Sequence, residues 1–205
     1  CGAGGFSEGF RQMGFELAFA LDKWLPAIET YKINHPKSKL ALMDILDLDT
    51  PEKIDAVVPD TDIIIGSPPC VQFSKSNRAG KADKSLGIAL IKAYLRVIAW
   101  KKHKGVLKYW ILENVPNAGN YVQKSYSWAE LGLPDTGPDL IIPRREILNA
   151  AQFGAPQVRL RFLCGEYPSP QLSTPNREDW VSSSIVLAAL GNPYQKNSKE
   201  SVRDP

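Results

Sequence analysis

At 205 residues, 43% of them hydrophobic and 23% charged, the chain is long enough to bury one proper core and has the balance of an ordinary globular domain. No apolar run approaches the length of a membrane span, and no secretory signal opens the sequence. The three cysteines, Cys1, Cys70 and Cys164, are odd in number and far apart, which argues against a disulfide framework or a zinc knuckle and for a reducing compartment.

The net charge of +3 says little, but its distribution says more. Residues 44–62 hold Asp44, Asp47, Asp49, Glu52, Asp55, Asp60 and Asp62 against the single Lys53. Residues 75–108 hold ten Lys or Arg against the single Asp83. That basic stretch either meets phosphates, for which Lys75, Arg78 and Lys81 are the candidates, or is a solvated face whose "KKHK" (101–104) complements a helix C-terminus.

In chain order, "CGAGG" places glycines at 2, 4 and 5 ahead of a helix from Ser7. Glycines at such a turn let backbone approach a ligand closely. "FELAFAL" (15–21) predicts a strand, and "LPAIETYKIN" (25–34) a helix with Pro26 in its first turn. "KLALMDI" (39–45) and "TDIIIGS" (61–67) predict strands, and 85–104 carries apolar residues at helical spacing. "YWILENV" (109–115) and "VRLRFLCGE" (158–166) predict two more strands. Residues 121–143 read as loop-rich, and the tail after Pro168 is rich in Ser, Asn and Pro. Strands alternating with helices indicate an α/β fold with a mostly parallel sheet and helices on both faces. Such sheets bind ligands beyond the carboxyl ends of their strands.

Three of those ends suggest a nucleoside site. The glycine loop departs from G-x-G-x-x-G. Asp22 ends the next strand about twenty residues on, where an acid accepts from ribose hydroxyls. Asp44 ends the following one and is placed to read an adenine amino group. Two further ends suggest chemistry. In "IIIGSPPCVQFS" (63–74), Pro68 and Pro69 stiffen the backbone that carries Cys70, and rigid placement of a thiol suits a nucleophile. Glu113 follows three apolar residues in "WILENVPN", where it is a functional acid or a solvated cap. In "FGAPQVRLRF", Arg159 and Arg161 stand two apart and would share one strand face. A thiol, a carboxyl and guanidiniums at neighbouring strand ends are the set needed to attack an electron-rich ring.

Taken in order, "GAGGFSEGF", "GSPPCVQFS", "ENVPN" and "NAAQFGAPQVRLRF" make the chain resemble a cytosine-5 DNA methyltransferase over residues 1–162. The resemblance implies a Rossmann-like S-adenosylmethionine-dependent methyltransferase fold. It implies that Cys70 adds to carbon 6 of a cytosine extruded from double-stranded DNA, that Glu113 engages N3, and that Arg159 and Arg161 assist. It assigns cofactor contacts to Gly2, Ala3, Gly4, Gly5, Asp22, Lys23, Asp44, Ile45, Pro68 and Leu90, and DNA contacts to Ser74, Lys75, Arg78 and Lys81. It implies a catalytic domain over 1–168, with 169–205 leading to a target-recognition region supplied by flanking sequence or a second polypeptide. The restriction-modification setting of such enzymes implies a bacterial or phage-infected cytoplasm, or the nucleus in a eukaryote.

The chain also departs from the family. An aromatic residue usually follows the ribose acid and stacks on adenine, whereas here the order is Asp22-Lys23-Trp24; either Trp24 or the lysine stem covers the ring. Val71 stands where glutamine is frequent, with Gln72 one place later. The alternatives are a transfer-RNA cytosine-5 methyltransferase, whose typical Cys-Phe-Thr is absent, and a catalytically silent DNA-binding partner, which has no need of Cys70 and Glu113. A nicotinamide-dependent dehydrogenase would use the glycine loop and Asp22 but not the thiol.

Overall fold

A computed structural model describes residues 1–70, 73, 83–134 and 136–189; Ser74, Lys75, Arg78 and Lys81 lie outside the described residues. The chain divides into two compact units, Cys1–Ile147 with Arg161–Pro168, and Leu148–Leu160 with Ser169–Pro205. Residues 148–160 thus group with the tail after Pro168. Thr174 explains that grouping. Its hydroxyl donates to the Ala151 carbonyl at 2.6 Å and accepts the Gly154 amide at 3.2 Å, while its amide donates to the Gln152 carbonyl.

In the first unit, helix α1 (Gly5–Gln12) leads to strand β1 (Phe19–Asp22) and helix α2 (Leu25–Asn34). The strand expected over 15–21 starts four residues late for a local reason. Gly14, at φ +87°, closes α1, and the Phe15 amide donates to the Phe10 carbonyl, so it is committed to a helix end. Strand β2 (Lys39–Leu42) runs parallel to β1, with Phe19 opposite Lys39 and Asp22 opposite Leu42. It stops short of Asp44, whose carboxylate accepts the Leu46 amide at 3.0 Å and turns the chain into a single 3-10 turn. Helix α3 (Pro51–Val57), absent from the sequence reading, begins where the Thr50 hydroxyl accepts the Lys53 amide and Pro51 fills the first turn.

Strand β3 (Ile63–Gly66), helix α4 (Ser85–His103) and strand β4 (Tyr109–Asn114) follow, then short β5 (Ser125–Tyr126) and β6 (Leu140–Ile141). Strands β7 (Arg144–Asn149) and β8 (Leu160–Glu166) complete a four-stranded sheet of order β3-β4-β8-β7, and α5 (Ser183–Ala189) lies in the tail. The β3–β4 pair is parallel and the β4–β8 pair antiparallel. Helix α4 is buried on more than one side. Ile91, Leu95 and Ile98 pack with Trp110 and Leu112 of β4, while Val97 packs with Leu48, Ile54 and Val58. Each such side chain contributes roughly 1.5–3 kcal/mol of burial, which fixes the strands whose ends matter below.

The charge asymmetry resolves largely into internal pairs. Lys101, 1% exposed at its side chain, reaches Asp55 at 3.0 Å and Asp60 at 2.7 Å, and Lys104 reaches the same two acids. Lys102 pairs with Glu166, and Lys108 with Asp62. Residues 101–104 therefore serve the fold. Replacing Asp55 and Asp60 together by asparagine leaves the Lys101 ammonium without a counter-charge and is expected to cost stability in urea unfolding. Lys101→Met, which removes the charge and keeps the stem, is expected to cost less than half of that. Equal losses would show that the buried charge is not what the acids compensate.

Candidate active site

Strand register assembles the centre. In the parallel pair Gly66 lies opposite Leu112, so the next residues, Ser67 and Glu113, emerge side by side. In the antiparallel pair Glu113 lies opposite Leu163, and Arg161, two residues away, shares that face. The same alternation buries Trp110, Leu112, Phe162 and Cys164 on the opposite face. The contacts follow from it. Arg161 Nε donates to Glu113 Oε1 at 2.8 Å, and the Ser67 hydroxyl donates to Oε2 at 2.5 Å.

The segment carrying the thiol is braced from β4. Asn114 Nδ2 donates to the Pro68 carbonyl at 2.9 Å, and the Phe73 amide donates to the Cys70 carbonyl at 2.9 Å. Phe73 is buried against Tyr121, and Asn117 Nδ2 donates to its carbonyl. Beneath the two strand ends, the Tyr94 hydroxyl donates to the Ile111 carbonyl at 2.8 Å and lies 3.1 Å from that of Ile64. Its ring needs the bare Gly66, where a Cβ would fall 2.3 Å from Cε2. Cys70 itself is half-buried with a free thiol. Cys164 is buried, and that burial pushes its thiol up to about 12, which leaves it inert.

Arg159 lies immediately before strand β8. Strand β8 starts at Leu160, and the Arg159 backbone is committed before it, its amide to Asn149 Oδ1 at 3.1 Å and its carbonyl to the Ala150 amide at 3.0 Å. Arg159 belongs to the second unit and Arg161 to the first.

The glycine loop is held by the end of α2. Gly2 and Gly4 have φ of +55° and +92°. Asn34 Nδ2 donates to the Ala3 carbonyl at 2.8 Å, and Nε2 of buried His35 lies 3.2 Å from the Gly4 carbonyl. A Cβ on Gly4 would fall 2.4 Å from that nitrogen, so only glycine fits there; nothing lies within 4 Å of one on Gly2 or Gly5. Asp22 Oδ2 accepts the Gly2 amide and the Cys1 nitrogen, each at 2.8 Å, and Oδ1 accepts the Trp24 amide at 3.1 Å. Lys23 Nζ reaches across to Asp44 Oδ2 at 3.2 Å, while Trp24 is 65% exposed. Ile45 packs among core residues, and Leu90 is buried, which leaves it little surface to offer a ligand.

Sequence reasoning missed Ser67, Asn114 and Tyr94. The first two stood inside quoted motifs, but their partners depend on strand register, which the sequence does not state.

A family model described as C-5 cytosine-specific DNA methylase matches residues 1–178. The chain is 38% identical over 173 residues to the Type II methyltransferase M.HgiDI of Herpetosiphon aurantiacus, covering 80% of this chain and 49% of that protein. It is 36% identical over 166 residues to M.HindV of Haemophilus influenzae, covering 78% and 49%. Among solved structures, a DNA modification methyltransferase encoded within an E. coli prophage superposes with a TM-score of 0.60 at 25% identity, covering 88% of this chain and 50% of that one. The chain therefore spans about half the length of these curated relatives.

Proposed function

The chain belongs to the C-5 cytosine-specific DNA methylase family, and we propose that it carries the catalytic centre of an enzyme that methylates carbon 5 of cytosine in double-stranded DNA. The observation that carries this reading is the Glu113 carboxylate, held between Ser67 and Arg161 beside the braced segment that bears Cys70.

The residues present fit S-adenosylmethionine. Gly2 and Gly5 face open space, and Asp22 retains acceptor capacity on Oδ1 for ribose hydroxyls. Gly2, Ala3, Gly4, Gly5, Lys23, Asp44, Ile45 and Pro68 complete the proposed cofactor side. When bound, S-adenosylmethionine supplies the electrophilic methyl group that carbon 5 takes.

The chain's own residues make carbon 5 reactive. The Cys70 thiolate adds to carbon 6 of the extruded cytosine, and Glu113 gives N3 a proton as negative charge develops on the ring. Arg161 keeps Glu113 in place. Loss of the carbon-5 proton after methylation then expels Cys70 and restores the aromatic base. Ser74, Lys75, Arg78 and Lys81, which follow the thiol in sequence, supply the proposed DNA contacts.

The test is methyl transfer from labelled S-adenosylmethionine to duplex DNA and, in parallel, to transfer RNA. Label recovered as 5-methylcytosine from DNA is the expected result. Label in transfer RNA alone, or at another ring atom, would overturn the reading.

A further inference from the structure

Resting on the reading above, we infer that Ser67 is a positioning residue that assigns separate tasks to the two oxygens of Glu113. The oxygens have chemically different partners. Oε1 faces Arg161 Nε at 2.8 Å, and Oε2 faces the Ser67 hydroxyl at 2.5 Å. A guanidinium donates and never accepts, so Oε1 must remain an acceptor. The proton that travels to cytosine N3 therefore leaves from Oε2 and returns there.

A serine hydroxyl suits that oxygen because it donates to Oε2, leaving the acid's own proton free to point at N3. It keeps Oε2 directed toward the segment that carries Cys70 in either state. The geometry of this contact is imposed by the backbone. Register places Ser67 beside Glu113, Pro68 restricts the chain that follows, and Asn114 holds the Pro68 carbonyl at 2.9 Å. Ser67 is itself exposed, so its hydroxyl contributes to the acid's geometry and little to the core.

The experiment compares Ser67→Ala and Ser67→Thr with the wild-type protein in single-turnover methylation, steady-state kinetics and cofactor binding. Ser67→Ala is expected to lower kcat roughly tenfold, the scale of one hydrogen bond to a charged group. The KM for DNA and the Kd for S-adenosylmethionine should stay within about twofold, since neither ligand loses a contact. Ser67→Thr, which keeps the hydroxyl, should recover most of the rate. In a Glu113→Gln background Ser67→Ala should cost less than about twofold, because the residue acts through that acid. A wild-type kcat for Ser67→Ala, or an undiminished loss in the Glu113→Gln background, would overturn the inference. Covalent trapping on 5-fluorocytosine DNA separates the two levels. Full-length wild-type protein, flanking sequence included, that fails to trap overturns the proposed function and this inference with it, whereas normal trapping with an unaffected Ser67→Ala removes only the role of Ser67.

Discussion

Replacing Cys70 by alanine is expected to abolish covalent trapping of the protein on DNA that carries 5-fluorocytosine. In the presence of S-adenosylmethionine, addition of a thiolate to carbon 6 and methylation of carbon 5 leave fluorine where a proton should depart, so the enzyme cannot be released. Which thiol performs the addition follows from their surroundings. Cys164 is buried with its thiol pushed up to about 12, and Cys1 lies exposed beside the glycine loop. Cys70 sits half-buried just past a strand end, on a backbone held by Asn114 at the Pro68 carbonyl and by the Phe73 amide at its own. A denaturing gel reads the result directly. Wild-type protein should migrate as a DNA adduct, Cys164→Ala should do so to a similar extent, and Cys70→Ala should not. An adduct formed by Cys70→Ala at the wild-type level would remove the nucleophile from this account.

What the sequence showed and what it hid divide along a physical line. Helix α2 has the limits read from its sequence, because Pro26 in its first turn is a local signal. The strands over 15–21 and 39–45 were read too long because two backbone turns interrupt the apolar runs. One is the Phe15 amide closing α1, and the other is the Asp44 carboxylate capping the turn after β2. Neither bond alters hydrophobic pattern, so a periodicity argument cannot see it. The catalytic residue types were legible because their motifs lie at strand ends. Their contacts were not, since opposing Glu113 to Ser67 and bringing Arg161 onto its face require the β3–β4–β8 register.

The other large effect is expected at Glu113. Glutamine at this position keeps the size of the side chain and most of its bonding. With its amide oxygen toward Arg161 and its nitrogen toward Ser67, the guanidinium still donates and the hydroxyl becomes the acceptor. What the amide cannot do is deliver a proton to N3, or carry the negative charge that balances Arg161. Turnover should therefore fall by roughly two orders of magnitude or more, the usual loss when a general acid or base is removed. Cofactor affinity should change by less than about twofold, because the glycine loop and Asp22 belong to other strand ends. Melting should shift little, since Glu113 is on the half-exposed face of β4 and Asn114, on the buried face, is untouched. Trapping on 5-fluorocytosine DNA should slow in step with turnover, because protonation at N3 assists the addition itself. If Glu113→Gln turned over at the wild-type rate, the carboxylate would be no more than a partner for Arg161 in the sheet. If it lost cofactor binding along with turnover, the acid would be supporting the methyl donor's site rather than the base.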